Sequence, residues 1–274
     1  MRCKVKGWFG IVLFASCLLL STGGIFSPAL QEDSSRDINL TTEDNVNLVG
    51  TYYAPRKGDS PALLLVHGMN RTRLDWVGLA RLLQANGYGV LTIDLRGHGD
   101  SMQQGDRLIR WVSFSDEDFR RMLMDIASGI QFLKSRAEID PYMIGIVGTE
   151  MGANLALNYA SQNRQIGAVV LISPGLNYRG VSCVGAITSY RMRPVLLIAS
   201  EEDVYSAFSA NELYSLAQGI KDLKTYRNAG HGNRLLWKEE GAGGMIMEWL
   251  KIHLPGKNAE KEELREENPH KRQP

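Results

Sequence analysis

Cysteine is scarce, at three in 274 residues, and two of these, Cys3 and Cys17, fall at the extreme N-terminal end. Only Cys183 remains in the body of the chain, so no intramolecular disulfide staples it and the fold must rest on its core. An excess of one charge is also missing. The formal net charge is +1 and no basic stripe interleaved with aromatics occurs, which gives no reason to expect nucleic acid or an acidic partner. No Gly-x-Gly-x-x-Gly follows the first strand, no phosphate loop is found, and no histidine and cysteine cluster has metal spacing. The sequence therefore predicts no cofactor and no metal, and leaves a small-molecule substrate or ligand as the partner.

The length fits one α/β domain with a full core plus appendages. Met1 to Lys6 is cationic, and Trp8 to Leu20 is apolar apart from Gly10, Ser16 and Cys17, the pattern of an export signal. Cleavage after Gly23 or Ala29 suits the small residues there, whereas an uncut Gly7 to Leu30 is long enough to serve as a membrane anchor. Lipidation at Cys17 is disfavoured by Phe14 three residues before it and by the continuing Leu18-Leu19-Leu20. Residues 1–30 are thus read as a leader or anchor, 31–255 as the domain, and 256–274 as a charged, solvated tail that alternates acids and bases. The expected location is extracytoplasmic, either free or attached through the N-terminus.

Within the domain, Asp37 to Leu40 and Val46 to Tyr53 flank a polar Glu43-Asp44-Asn45 turn, which predicts an antiparallel hairpin. Short apolar runs at 62–66, 90–93, 143–147, 168–172 and 195–199 predict buried parallel strands. Between them lie helical segments. Asp75 is read as the cap of a helix that runs through Leu83 and stops at Asn86-Gly87. Ser115 with Asp118 makes a capping-box start to a longer helix. In the latter, Phe119, Met122, Leu123, Ile126, Ile130 and Leu133 recur at helical spacing and form a core stripe. Repeated βα units imply a mostly parallel sheet with helices on both faces, and ligand groups at the carboxyl ends of its strands.

The chemistry gathers at those ends. Gly148-Thr149-Glu150-Met151-Gly152 joins the 143–147 run to a helix, the layout of a nucleophile elbow with glutamate where the Gly-x-Ser-x-Gly form has serine. The 62–66 run ends in His67-Gly68-Met69-Asn70, the 90–93 run in Asp94 to Ser101, and the 195–199 run in Ser200-Glu201-Glu202-Asp203. Ala229-Gly230-His231-Gly232 comes last. On these residues the chain, from about Asp37 to Leu254, resembles the α/β-hydrolase family, and Leu171 to Gly180 resembles a group of small bacterial hydrolases. The resemblance implies the chain order nucleophile, acid, histidine, which Glu150, Asp203 and His231 occupy. It implies that Asp203 orients His231, that His231 shuttles a proton to the elbow, and that the backbone N–H groups of Met69 and Met151 form an oxyanion hole. Glu201 and Glu202 are rivals to Asp203, which the family spacing favours. His67 is read as loop-shaping, His98 as bonded to neighbouring backbone, and His253 and His270 as outside the site.

Glutamate at the apex changes what the site can do. Its carboxylate is long enough to swing toward the N–H groups of Met69 and Met151 or to pair with a protonated His231. Loss of the nucleophile from such a site costs about a million-fold, with roughly a thousand- to ten-thousand-fold acceleration left. Dehalogenases and epoxide hydrolases, which the pattern resembles in having an acidic apex, use aspartate under a helical cap. Here the Ser173 to Pro194 connection is too short for a cap, and the extra methylene of Glu150 misplaces an attack. Glu150 or the Asp203–His231 pair could instead activate water. Thr149 is expected to point away from the apex. Two functions stay open: a hydrolase of ester or similar acyl bonds in small or medium substrates, or a lapsed hydrolase that binds a ligand or partner in the old pocket.

Overall fold

The computed structural model describes residues 35–256; the leader over 1–30 and nearly all of the 256–274 tail lie outside the described residues. Among the described residues no helix is long and apolar enough to cross a membrane. The chain enters as the antiparallel hairpin β1 (Ser35–Thr41) and β2 (Val46–Tyr53), reversed at Asn45, whose φ of 62° suits a residue that tolerates the left-handed region. The fully buried β3 (Ser60–Val66) follows, then α1 (Val77–Ala85) and β4 (Gly89–Ile93). Two-residue strands β5 (Gln103–Gln104) and β6 (Arg107–Leu108) extend the sheet beyond β2. Next come α2 (Asp116–Arg121), α3 (Leu123–Lys134), β7 (Ile139–Thr149), α4 (Met151–Gln162) and β8 (Ile166–Ile172). A small hairpin, β9 (Asn177–Tyr178) and β10 (Val181–Ser182), leads into α5 (Val184–Tyr190) and β11 (Val195–Ser200). The described chain closes with α6 (Val204–Leu216), β12 (Lys221–Tyr226), α7 (Asn233–Lys238) and α8 (Ala242–His253).

The main sheet runs β12-β11-β8-β7-β3-β4-β2-β5-β6, with β1 on β2. Every pairing from β12 to β4 is parallel, and only the β1, β2, β5 and β6 pairings are antiparallel. The continuous apolar runs are explained by cores on both faces. On one face Leu64, Val66, Ile146 and Leu171 pack with Ile126 and Ile130 of α3, Leu155 of α4, Ile187 of α5 and Leu213 of α6. On the other, Leu63, Leu65, Val147 and Val170 pack with Leu83 of α1, Leu235 of α7 and Ile246 and Leu250 of α8. The connection between β8 and β11 holds only the β9–β10 hairpin and α5, and α5 packs against α4 and α6. No cap domain stands over the sheet among the described residues.

Two sequence expectations about helices need correction, and one strand was not foreseen. Asp75 does not cap α1: it lies inside a 3-10 turn, Arg73–Trp76, whose N-cap is Thr72, and its carboxylate faces Arg71 at 3.7 Å. The 119–133 stripe is not one helix. The Ser115–Asp118 capping box forms, but the helix breaks at Met122 into α2 and α3 while its buried residues still share one core. Finally, β12 escaped the sequence reading because an edge strand, Lys-Asp-Leu-Lys-Thr-Tyr, is half exposed and lacks an apolar run.

A buried ion cluster fixes the loops at the carboxyl end. Arg73 donates from its backbone N–H and its guanidinium to Asp94, and from the guanidinium to Asp100 at 2.8 Å. The segment after β3 is thereby joined to the segment after β4. Beside it, Arg96 bonds Asp125 of α3 at 2.8 Å and Asp44 of the β1–β2 turn at 2.6 Å.

Candidate active site

Glu150 is the single residue between β7 and α4, at φ 52° and ψ −119°. A non-glycine residue there is strained and persists because its surroundings hold it. Its N–H donates to the Ile172 carbonyl at 2.9 Å, and its carbonyl begins α4 by accepting from Ala153 and Asn154. The flanking glycines are required by space. A Cβ on Gly148 would stand 2.3 Å from the Gly152 carbonyl oxygen, and one on Gly152 would stand 2.3 Å from that of Val66. Strand β3, the elbow and α4 are thus in backbone contact.

The Glu150 carboxylate lies between two further glycines. A Cβ on Gly68 would come within 2.8 Å of Oε2, and one on Gly232 within 2.1 Å of Oε1. From this slot Oε2 faces Nε2 of His231 at 3.4 Å, while Nδ1 of His231 bonds Asp203 Oδ2 at 2.5 Å. Glu150, Asp203 and His231, separated widely in sequence, are brought together in one line. Of the two swings open to Glu150, the structure has the one toward His231. Neither the Met69 nor the Met151 N–H donates to the carboxylate among the described residues.

The electrostatics follow from that line. Bonds to Asp203 and then Glu150 outweigh burial and raise His231 to about 10, so the ring is an imidazolium at neutral pH although its side chain is 45% exposed. Burial pushes the Asp203 carboxyl up, but its bonds to His231 and Ser206 win and hold it below its ordinary value. Asp203 also caps α6 by accepting from the Ser206 N–H.

The rivals and bystanders have other tasks. Glu201 pairs with exposed Arg227. Glu202 turns away from the ring and accepts from the backbone of the loop that carries it, through the N–H groups of Asn228 at 2.8 Å and Gly230 at 2.5 Å. Thr149 donates its hydroxyl to Asn233 at 2.8 Å, away from the apex. His67 is fully buried, its Nδ1 against the Gly68 carbonyl and its Nε2 accepting from the Leu95 N–H. Burial and neighbouring His98 push it down to about 3, so it stays neutral. His98 bonds the Arg96 carbonyl through Nδ1 and stacks on Trp111. His253 packs on Trp249 at the end of α8, and His270 lies outside the described residues.

Two serines escaped the sequence reading. Ser173, at φ 48° just after β8, accepts from the Gly232 N–H at 3.0 Å. Ser206 places its hydroxyl 3.5 Å from His231 Nδ1. Their only sequence signal is position: one follows a strand and the other sits in the first turn after the acid. A cleft of about 310 Å³, lined by none of Glu150, Asp203 and His231, opens between Asn70–Thr72 and the Gly97–Val112 segment. A second, of about 430 Å³, lies between α1 and α7–α8. Among the described residues no group of three or more potential ligands could hold a metal.

Residues 59–192 match the family model described as serine aminopeptidase, S33. The chain is similar to the thiohydrolase aneE of Aspergillus aculeatus, 24% identical over 53% of this chain and 43% of that protein. It is also similar to the monoacylglycerol lipase abhd6-B of Xenopus laevis, 28% identical over 45% of this chain and 33% of that one. The chain thus spans less than half the length of these relatives. In structure it matches an acetyl xylan esterase from Paenibacillus sp. R4, with TM-score 0.70 and 17% identity over 83% of this chain and 86% of that one. An esterase from Pyrococcus furiosus matches with TM-score 0.65 and 21% identity over 80% and 91%. This chain is an α/β-hydrolase-fold protein.

Proposed function

We propose that the protein hydrolyses ester or similar acyl bonds of small or medium substrates by direct attack of water, with Glu150 as general base and His231 as general acid. The observation that carries this reading is the placement of a carboxylate 3.4 Å from an imidazole whose other nitrogen is bound to a second carboxylate. A carboxylate beside an imidazolium is an acid–base pair already in the protonation states that hydrolysis needs. Glu150 takes a proton from water as the water oxygen attacks the acyl carbon. The carbonyl oxygen gains the charge, which the N–H groups of Met69 and Met151 receive. His231 gives its Nε2 proton to the leaving oxygen as the bond to the acyl carbon breaks. The proton on Glu150 then crosses back to His231, and the site is restored with acid and alcohol released.

The rate of this route is low, since it lacks the covalent step of a serine site. The same ion line favours a second reading: a carboxylate that locks the imidazolium leaves a scaffold that binds a ligand without turning it over. One set of variants separates the two. With a short nitrophenyl ester, wild type is expected to turn over slowly and Glu150→Gln to lose that rate. Glu150→Ser is expected to gain on the order of 100-fold and to react with a fluorophosphonate, which wild type does not. A wild type as inert as Glu150→Gln, beside an active Glu150→Ser, sinks the water route and leaves the binding reading. A folded but inert Glu150→Ser would show that Asp203 and His231 do not serve the apex.

A further inference from the structure

The loop that brings His231 to the site has no regular structure to hold it. Asn228, Gly230 and Gly232 all have positive φ, at 56°, 86° and 59°, so the chain between β12 and α7 turns repeatedly and forms no ladder with its neighbours. The N–H groups of Asn228, Ala229, Gly230 and Gly232 are nonetheless taken, and each acceptor is a side chain. Glu202 Oε2 accepts from Asn228 at 2.8 Å and Oε1 from Gly230 at 2.5 Å. Ser200 Oγ accepts from Ala229 at 2.9 Å and donates to Glu202 Oε2 at 2.6 Å. Past the ring, Ser173 Oγ accepts from Gly232 at 3.0 Å.

Three successive N–H groups before His231 are therefore gripped by the two acceptors Ser200 and Glu202, on the same chain end that presents Asp203 to the ring. Glu202 is solvent-exposed, so it adds nothing to the core. Its bonds, first from Ser200 and then from the loop amides, hold its carboxyl ionised by lowering it to about 2. A carboxylate accepting such bonds is a strong, directional anchor.

We infer that Glu202 is a positioning residue: by gripping the N–H groups of Asn228 and Gly230 it fixes where the ring of His231 meets Asp203. The acid's strand and the histidine's loop become one unit, and the distance between the two groups is set by a neighbour that touches neither. This rests on the Asp203–His231 pair and not on turnover, so it can be tested on a protein that hydrolyses nothing.

The test is an NMR titration of the His231 ring together with amide exchange of Asn228 and Gly230 in the full chain. Glu202→Ala is expected to lower the His231 midpoint by about one pH unit or more, a tenfold weaker hold on its proton. Exchange at both amides is expected to speed up on the order of tenfold. Glu202→Gln, which keeps the shape but only one acceptor oxygen, is expected to fall between. Glu201→Gln removes a charge one residue away without touching the loop amides, and is expected to leave both readouts at wild-type values. If Glu202→Ala changes neither, or if Glu201→Gln shifts the ring as far as Glu202→Ala does, the grip is not what places His231. Should Glu202→Ala fail to fold, Glu202→Gln decides: a wild-type midpoint and wild-type exchange overturn the proposal. Failure of ester hydrolysis in every Glu150 variant would leave this result untouched and bear only on the reaction.

Discussion

His231 lies between two carboxylates, and the consequence is a stability that depends on pH in a stated direction. The folded ring is raised from about 6.5 to about 10 by Asp203 and Glu150. A group raised on folding contributes fully below its unfolded value, and its contribution fades as pH rises through the folded one. The unfolding free energy of wild type relative to His231→Gln is expected to be largest below pH 6.5 and to decline toward pH 10 in chemical denaturation. Exposure of the ring reduces the size of the effect through solvent screening. Glu150→Ser removes one of the two anions, so its contribution is expected to be smaller and its decline, which still begins near the unfolded value, to end at lower pH; an unchanged profile would mean that Glu150 does not hold the ring. The apex and the acid could be read from residues that end apolar runs, and the histidine from its place after both, between two glycines. The family spacing favoured Asp203 over its neighbours, but what Glu201 and Glu202 do instead could not be read, because three adjacent acids differ only in where the strand aims them.

At the scale of elements, the elbow depends on four glycines in two roles. Gly148 and Gly152 let backbones touch, whereas Gly68 and Gly232 clear a slot for the Glu150 carboxylate. The slot predicts a coupling between residues far apart in the chain. Gly68→Ala is expected to cost more stability in wild type than in a Glu150→Ser background, by about 1 kcal/mol in a double-mutant cycle from urea unfolding. A coupling of zero would show that the carboxylate does not fill the slot. The parallel strands could be recognised because burial on both faces leaves continuous apolar runs, and the hairpin because its turn is polar. The break at Met122 could not, since the apolar spacing runs straight through it and only the backbone turns (ψ −12°). Nor could the fate of Asp75, because a capping residue is indistinguishable in sequence from one that faces an arginine four residues before it.

For the whole molecule, the N-terminal pattern carries its own expectation. When the full chain is expressed in a bacterium, we expect it outside the cytosol, as a product shortened to begin after Gly23 or Ala29 or at full length in the membrane fraction, as read by intact mass of each fraction. Full-length protein wholly in the cytosol would overturn the export reading. The arrangement of the described body has a further consequence. Arg73 holds Asp94 with both its backbone and its side chain, and Asp100 as well, and no cap lies above. Under the proposed hydrolysis, the segment after β3 that carries Met69 is tied down before any substrate arrives, and among the described residues no cap waits to be closed by contacts far from the scissile bond. On that same proposal, portions of a substrate that reach past the acyl group strengthen its hold on the protein without a cap among the described residues to draw closed. Trimming them should weaken affinity and leave the speed of the bound complex as it was.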